Sequence, residues 1–275
     1  MKEMRSNVVL IAIAFCAYAF LLLPLVVVVG ASFDGGAQAY FRFPPQVISL
    51  RWYAELPAKY WSSLTLSFAI ALAAGTAAVL IGTVAALGIA RGSARGNATL
   101  ETYFRFPLQV PFVVTGIVFL QFYYLLLDTF GLRLLGTFWG YVIAHTFFCI
   151  PYAVGAVGSV IARDLEKTEN AARVAGATEL RVFYRVTLPA LKPGLFAGFF
   201  FAFIVSFGDV PVSVFLATGG RVPLPVEIFQ TLQFDFDPRV LAISTIVVIL
   251  SSGFIVVMQR WVGLDLVLPS SGISR

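Results

Sequence analysis

The chain has 275 residues, of which 59% are hydrophobic and only 12% charged. A soluble domain carries roughly twice that share of charge, and apolar runs of about 18 residues recur along the sequence, so the composition excludes a water-soluble fold and indicates a polytopic helical membrane protein. The net charge of +5 does not mark a nucleic-acid binder, because the basic residues punctuate the apolar runs and build no continuous patch.

In chain order, the first apolar run covers residues 8–30 behind Lys2 and Arg5. It exceeds the roughly 7 to 15 residues of a secretion-signal core and lacks a clean small-residue cleavage site, so it reads as a retained first span. Residues 31–61 read as a polar loop with interfacial aromatics, Trp52 and Tyr53 among them. The second span, 62–90, is rich in Ala and Gly, which lets neighbouring helices approach closely. A short basic loop (91–105) leads to a third span at 106–127, a turn at 128–135, and a fourth span at 136–162 that carries His145 and Pro151. After a polar interval at 163–194, a fifth span covers 195–216 with Asp209 and Pro211 inside it. A polar loop at 217–239, holding Asp235 and Asp237, precedes a sixth span at 240–262 and a tail at 263–275. The expected organisation is a first helix and outer loop (1–61), a transmembrane core (62–262) and a short tail. Cys16 and Cys149 both fall within spans and read as small buried side chains.

Six spans place both termini on one side. Thirteen of the nineteen basic residues lie on that side, which assigns the termini and the 163–194 interval to the cytoplasm.

That interval has helical punctuation. Thr168 stands where an N-cap would open a first helix, and Glu169 and Arg173 are spaced i,i+4. Gly176 can take a positive φ and end the helix. Thr178 then caps a second helix that places Leu180, Phe183, Tyr184 and Thr187 on one face until Pro189 stops it. The expected product is two short helices at an angle. Ala171, Ala172 and Ala175 keep the first of them smooth enough for close contact with a partner.

Asn170-Ala171-Ala172-Arg173-Val174-Ala175-Gly176, followed by Leu188-Pro189, resembles the signature loop of ABC importer permeases, the binding-protein-dependent transport family. That family's pattern is Glu-Ala-Ala, three residues, Gly, and then Leu-Pro about a dozen residues on. Here Asn170 occupies the Glu position and Glu169 sits one residue earlier. The likeness extends to Pro107-Leu108-Gln109-Val110-Pro111, to 203–210, and to Leu224-Pro225 and Asp237-Pro238 as in the spermidine/putrescine-type branch. The resemblance implies an all-α, six-span permease of the type I importer class, with a cytoplasmic helix-turn-helix coupling loop between spans 4 and 5. It implies that Glu169, Asn170, Ala171, Ala172, Gly176, Leu188 and Pro189 engage an ATPase. It also implies a location in the bacterial inner membrane.

The chain carries no motor in its own sequence. A phosphate-cradling P-loop needs Gly before its Lys, whereas Met1, Ala58, Glu166 and Leu191 precede the four lysines. No catalytic residue, metal site or bound cofactor is expected of this chain. By resemblance, ATP and Mg belong to a separate ATPase dimer. The other implied partners are a related second permease chain forming a heterodimer, a periplasmic solute-binding protein, and lipid. The implied cargo is a small solute, polyamine-like or a related cationic amino compound. For its pathway the sequence offers Asp209, the acid inside an apolar span, together with Gln121 and Tyr124. The competing expectation is a proton-coupled secondary transporter, which would draw on Asp209 and His145. An intramembrane serine hydrolase would need Ser159 and His145 to meet, and both lie on span 4 near opposite ends.

Overall fold

A computed structural model describes residues 2–36, 42–92, 94–161, 165–218, 220–234 and 236–262. The architecture is helical: among the described residues the one extended pairing is an isolated antiparallel bridge between Asp34 and Ile48. The helices are α1 (Lys2–Ala31), α2 (Arg51–Ala54), α3 (Ala58–Arg91), α4 (Ala94–Arg105), α5 (Phe112–Phe130), α6 (Phe138–Ile161), α7 (Leu165–Val174), α8 (Glu179–Val182), α9 (Leu188–Phe207), α10 (Ser213–Leu216), α11 (Leu224–Phe234) and α12 (Arg239–Val262). Among the described residues six stretches are long and apolar enough to cross a membrane: Leu10–Ala31, Ala58–Arg91, Phe112–Phe130, Phe138–Ile161, Glu179–Phe207 and Arg239–Val257. At 1.5 Å per residue, the 19 residues of α5 match a hydrocarbon layer about 30 Å thick.

The six-span expectation therefore holds, but four features differ from it. The basic segment after α3 is a helix, α4, because residues 94–105 contain no Pro and Glu101 pairs with Arg105 at 2.6 Å, i,i+4. The polar loop after span 5 contains α11, which opens with Pro225 in its first turn, where a missing N–H leaves no gap. Span 5 is interrupted: α9 ends at Phe207, and the chain resumes as the short α10 after Pro211. Pro189 does not stop the second loop helix either. A π-helical turn at Phe183–Thr187 carries α8 directly into α9, and Pro189 then occupies a first-turn position.

The chain forms two compact units, Met1–Tyr60 with Ile228–Val256, and Trp61–Glu227 with Val257–Arg275. In the first, Ser32 Oγ donates to Val29 O at 2.6 Å and pairs with Tyr53 Oη at 2.6 Å, while Trp52 Nε1 donates to Asp34 O at 2.6 Å. These bonds tie the segment after α1 to α2. Cys16, expected to be buried, is exposed on the apolar α1.

In the second unit the organising pair is α6 against α9. Close approach depends on small residues: a Cβ on Gly198 would lie 3.1 Å from Ala153 Cα, and one on Gly194 would lie 3.1 Å from Ala156 O. The α3 helix closes on the same residue of α6: a Cβ on Gly82 would come within 2.7 Å of Ala153 Cβ. Tyr123, Tyr141, Phe148, Cys149 and Ala202 fill the core between α5, α6 and α9. Cys149 Sγ donates to Ala202 O at 3.3 Å.

Candidate functional site

Polar side chains gather at two places in the second unit, the α7–α8 loop and the break after α9. In the loop, α7 turns Leu165 and Glu169 inward and leaves Glu166, Lys167, Asn170, Ala171 and Val174 exposed, so its faces follow the helical period. Thr168 lies inside α7 rather than at its cap, because the helix begins at Leu165. Arg163 and Asp164 lie outside the described residues. At the other end Gly176 adopts φ 85°, Gly176 N donates to Arg173 O at 2.9 Å and Ala177 N to Ala172 O at 3.1 Å. This is a Schellman closure, and it requires the left-handed residue that Gly supplies. Thr178 is the N-cap of α8 in position and extended backbone, without a side-chain capping bond.

Across that turn, Arg173 fastens the two helices together. Its Nε and Nη2 meet both carboxylate oxygens of Glu179 at 2.7 and 3.2 Å, and its Nη1 donates to Asn170 Oδ1 at 2.8 Å. The bidentate bond to Glu179 raises the pKa of the guanidinium further, with the Glu169 charge adding to it. Asn170, at the family's Glu position, is therefore exposed and holds Arg173. Glu169 points the other way. Its Oε1 accepts from Arg91 Nη2 at 2.8 Å and from Thr187 Oγ1, and its side chain is only 5% exposed. The expected apolar face on the second helix is divided: Leu180 and Tyr184 are exposed, Phe183 is half-buried and Thr187 is buried, because the π turn shifts the helical phase. Val174 at 90%, Leu180 at 69% and Tyr184 at 59% exposure present an apolar surface on the two-helix unit. Ala172 and Leu188 are half-buried, and Pro189 is exposed.

The second cluster is enclosed. Asp209 sits in the break after α9, and its carboxylate accepts from Ser213 N at 2.8 Å and Val212 N at 3.4 Å, capping α10. His145 of α6 bonds Ser206 Oγ through Nδ1 at 2.7 Å and Ser213 Oγ through Nε2 at 3.0 Å. Nε2 also stands 3.7 Å from Asp209 Oδ2, and both side chains are at most 2% exposed. The structure thus brings together His145 and Asp209, 64 positions apart in sequence, with two serines that sequence reasoning passed over. The Asp-x-x-x-Ser spacing was the available signal for a cap. Gln121 and Tyr124 lie elsewhere, exposed on α5. Asp128 follows on the same helical face and is exposed as well, which makes a polar stripe along a membrane-spanning helix. Asp235 lies outside the described residues. Asp237 Oδ1 accepts from Arg239 N at 2.9 Å at the start of α12.

Residues 78–264 match the family described as binding-protein-dependent transport system inner membrane component. The chain belongs to this family. As a member it is a permease component of an ABC importer, which sets aside the proton-coupled carrier. Putrescine transport system permease protein PotI of Escherichia coli K12 is 34% identical over 206 residues, covering 72% of each chain. Spermidine/putrescine transport system permease protein PotC of Haemophilus influenzae is 27% identical over 254 residues, 90% of this chain and 94% of the relative. Sulfate transport system permease protein CysT of Salmonella typhimurium is 29% identical over 210 residues, 69% of this chain and 75% of the relative. Among solved structures, a bacterial ABC transporter that imports the acidic polysaccharide alginate superposes with TM-score 0.72 over 95% of this permease and 98% of that chain, at 18% identity. The likeness at that identity is one of fold.

Proposed function

We propose that this permease forms half of the membrane pathway of a polyamine importer and is driven through its α7–α8 loop by a separate ATPase. The observation that carries the coupling reading is the loop's construction. Two short helices are locked by Arg173 and by the Gly176 turn, and together they expose Val174, Leu180 and Tyr184. An exposed apolar patch on a rigid, otherwise charged element is suited to seating in a partner's groove. ATP and Mg are then held by the partner, whose closure displaces the loop as a rigid lever. The distribution of basic residues supports cytoplasmic termini and a cytoplasmic loop. A soluble binding protein delivers the solute to the other face, and a related second permease chain completes the pathway.

For the pathway itself, the reading rests on the stripe Gln121, Tyr124 and Asp128. An uncovered carboxylate and amide on a membrane-spanning helix are unfavourable against lipid, so this face belongs against water or a second chain. An acid there suits a cationic amino solute, consistent with relatives named for putrescine and spermidine. Asp209 shapes the break behind that pathway.

The test is purification with the co-expressed ATPase and second permease, then reconstitution with the binding protein. ATP-dependent uptake of radiolabelled putrescine or spermidine is expected. Uptake by this chain alone, under a proton gradient and without ATP, would overturn the reading; uptake of sulfate in place of polyamine would overturn the substrate assignment only.

A further inference from the structure

The signature pattern that the loop resembles has Glu where this chain has Asn170, and the carboxylate here, Glu169, stands one residue earlier. The structure gives that displacement a physical meaning. One step along α7 rotates a side chain by about 100°, enough to carry it from the outer face to the inner one. Asn170 is exposed, while Glu169 is buried against two elements far away in sequence. Arg91 is the last residue of α3 and Thr187 the last of the π turn that opens α9. Both bond the same carboxylate oxygen, and Arg173 Nη2 stands 3.5 Å from the other. A buried carboxylate is tolerated only while its partners remain in place, because losing one leaves a charge without water or a counter-ion.

We propose that Glu169 is an internal clamp, a positioning residue that fixes α7 to the ends of α3 and α9, and that the partner ATPase meets the neutral Asn170 in its place. The proposal rests on the coupling role of the loop given above. It assigns Glu169 a task different from contact with the partner: α7 cannot be displaced without moving two membrane-spanning helices with it. Arg91 is half-exposed, so the clamp joins a buried carboxylate to a partner that reaches the surface at the end of α3. The π turn adds the offset that aims Thr187 at Glu169, where an uninterrupted α-helix would present a different phase.

The experiment compares E169Q, R91Q, the double variant E169Q/R91Q, T187V, T187S, and N170E introduced into the E169Q background, all in the complex with ATPase and second permease. Uptake per ATP hydrolysed is expected to fall at least about fivefold in E169Q while the ATPase still co-purifies. The double variant should be no worse than E169Q, since both changes open one clamp. T187V should show a smaller loss and T187S close to none. N170E should restore nothing, because a carboxylate on the outer face cannot reach Arg91. A second readout uses the purified chain alone: limited proteolysis within 165–182 should be faster in E169Q and T187V than in wild type, with T187S cleaved at the wild-type rate. The clamp is overturned if N170E restores coupling to E169Q, if E169Q sheds the ATPase from the complex, if the two single losses multiply in the double variant, or if proteolysis is unchanged. A wild-type complex that contains no ATPase or shows no ATP-driven uptake overturns the coupling reading instead, and the proteolysis of the isolated chain separates the two failures.

Discussion

Glu169 and Asp209 are the two carboxylates buried among the described residues, and they are buried in opposite ways. Asp209 is held chiefly by its own neighbourhood, the amides of Val212 and Ser213 three and four residues on. Glu169 is held by side chains 78 and 18 positions away. A carboxylate bonded to nearby amides fixes a local backbone shape, here the break between α9 and α10. A carboxylate bonded to distant helices ties bodies together, so displacement at one is felt by the others. The contrast separates a residue that shapes the membrane interior from one that transmits motion, although both look alike as lone acids in a sequence.

The sharpest way to break this contrast is at Asp209. D209A removes the cap from α10 and leaves two buried amides unsatisfied beside His145, which should destabilise the protein by about 3 kcal/mol, read as a lowered thermal midpoint and yield in detergent. D209N keeps an acceptor at a cap position and should retain most of that stability. If D209N is stable yet loses polyamine uptake, Asp209 contacts the solute and is not a local cap alone. Next in size is the turn. G176P loses the bond from Gly176 N and cannot take φ 85°, whereas G176A meets only the left-handed penalty of about 1 kcal/mol. Uptake per ATP should fall strongly in G176P and mildly in G176A, with membrane insertion intact in both. Smaller again is R173Q. Its bond to Glu179 lies at the surface, where solvent screens such pairs, so stability should barely change while coupling drops a few-fold. A large stability loss in R173Q would mean that Arg173 supports the bundle as Glu169 does.

The spans were legible because hydropathy reads a local property: an apolar run such as 138–161 is a helix in any context that lets it cross a membrane. The turn at Gly176 was legible for the same reason, since φ 85° is what an L-residue avoids and Gly allows. Pro189 misled because proline signals a stop only where the hydrogen-bond ladder cannot be reset; the π turn at 183–187 resets it. Helix α4 was hidden by its basic composition, although Phe104 packs, partly buried, against the core cluster that includes Ala86, Val157 and Leu191. The Arg91–Glu169 and His145–Asp209 approaches had no local signature. They arise from α3 meeting the loop and from α6 lying against α9, and those pairings are tertiary facts.

The mildest test concerns the stripe on α5. Gln121, Tyr124 and Asp128 are exposed outside the buried core, so Q121L, Y124F and D128N should leave the stability within about 0.5 kcal/mol of wild type, read as a nearly unchanged thermal midpoint. A surface facing lipid would tolerate Q121L or even gain from it, because removing an exposed amide from hydrocarbon is favourable. A surface facing the solute path would instead show a higher KM for putrescine, by about two- to tenfold for D128N, with little change in the maximal rate, as expected when an attraction shared by the bound and moving solute is removed. The sign of the Q121L effect on uptake therefore decides between the two, and it does so without disturbing either buried carboxylate. If D128N raises KM while D209N does not, the acid that meets the solute is the exposed one near the end of α5, and Asp209 and Glu169 both belong to the machinery that holds and moves the helices around it.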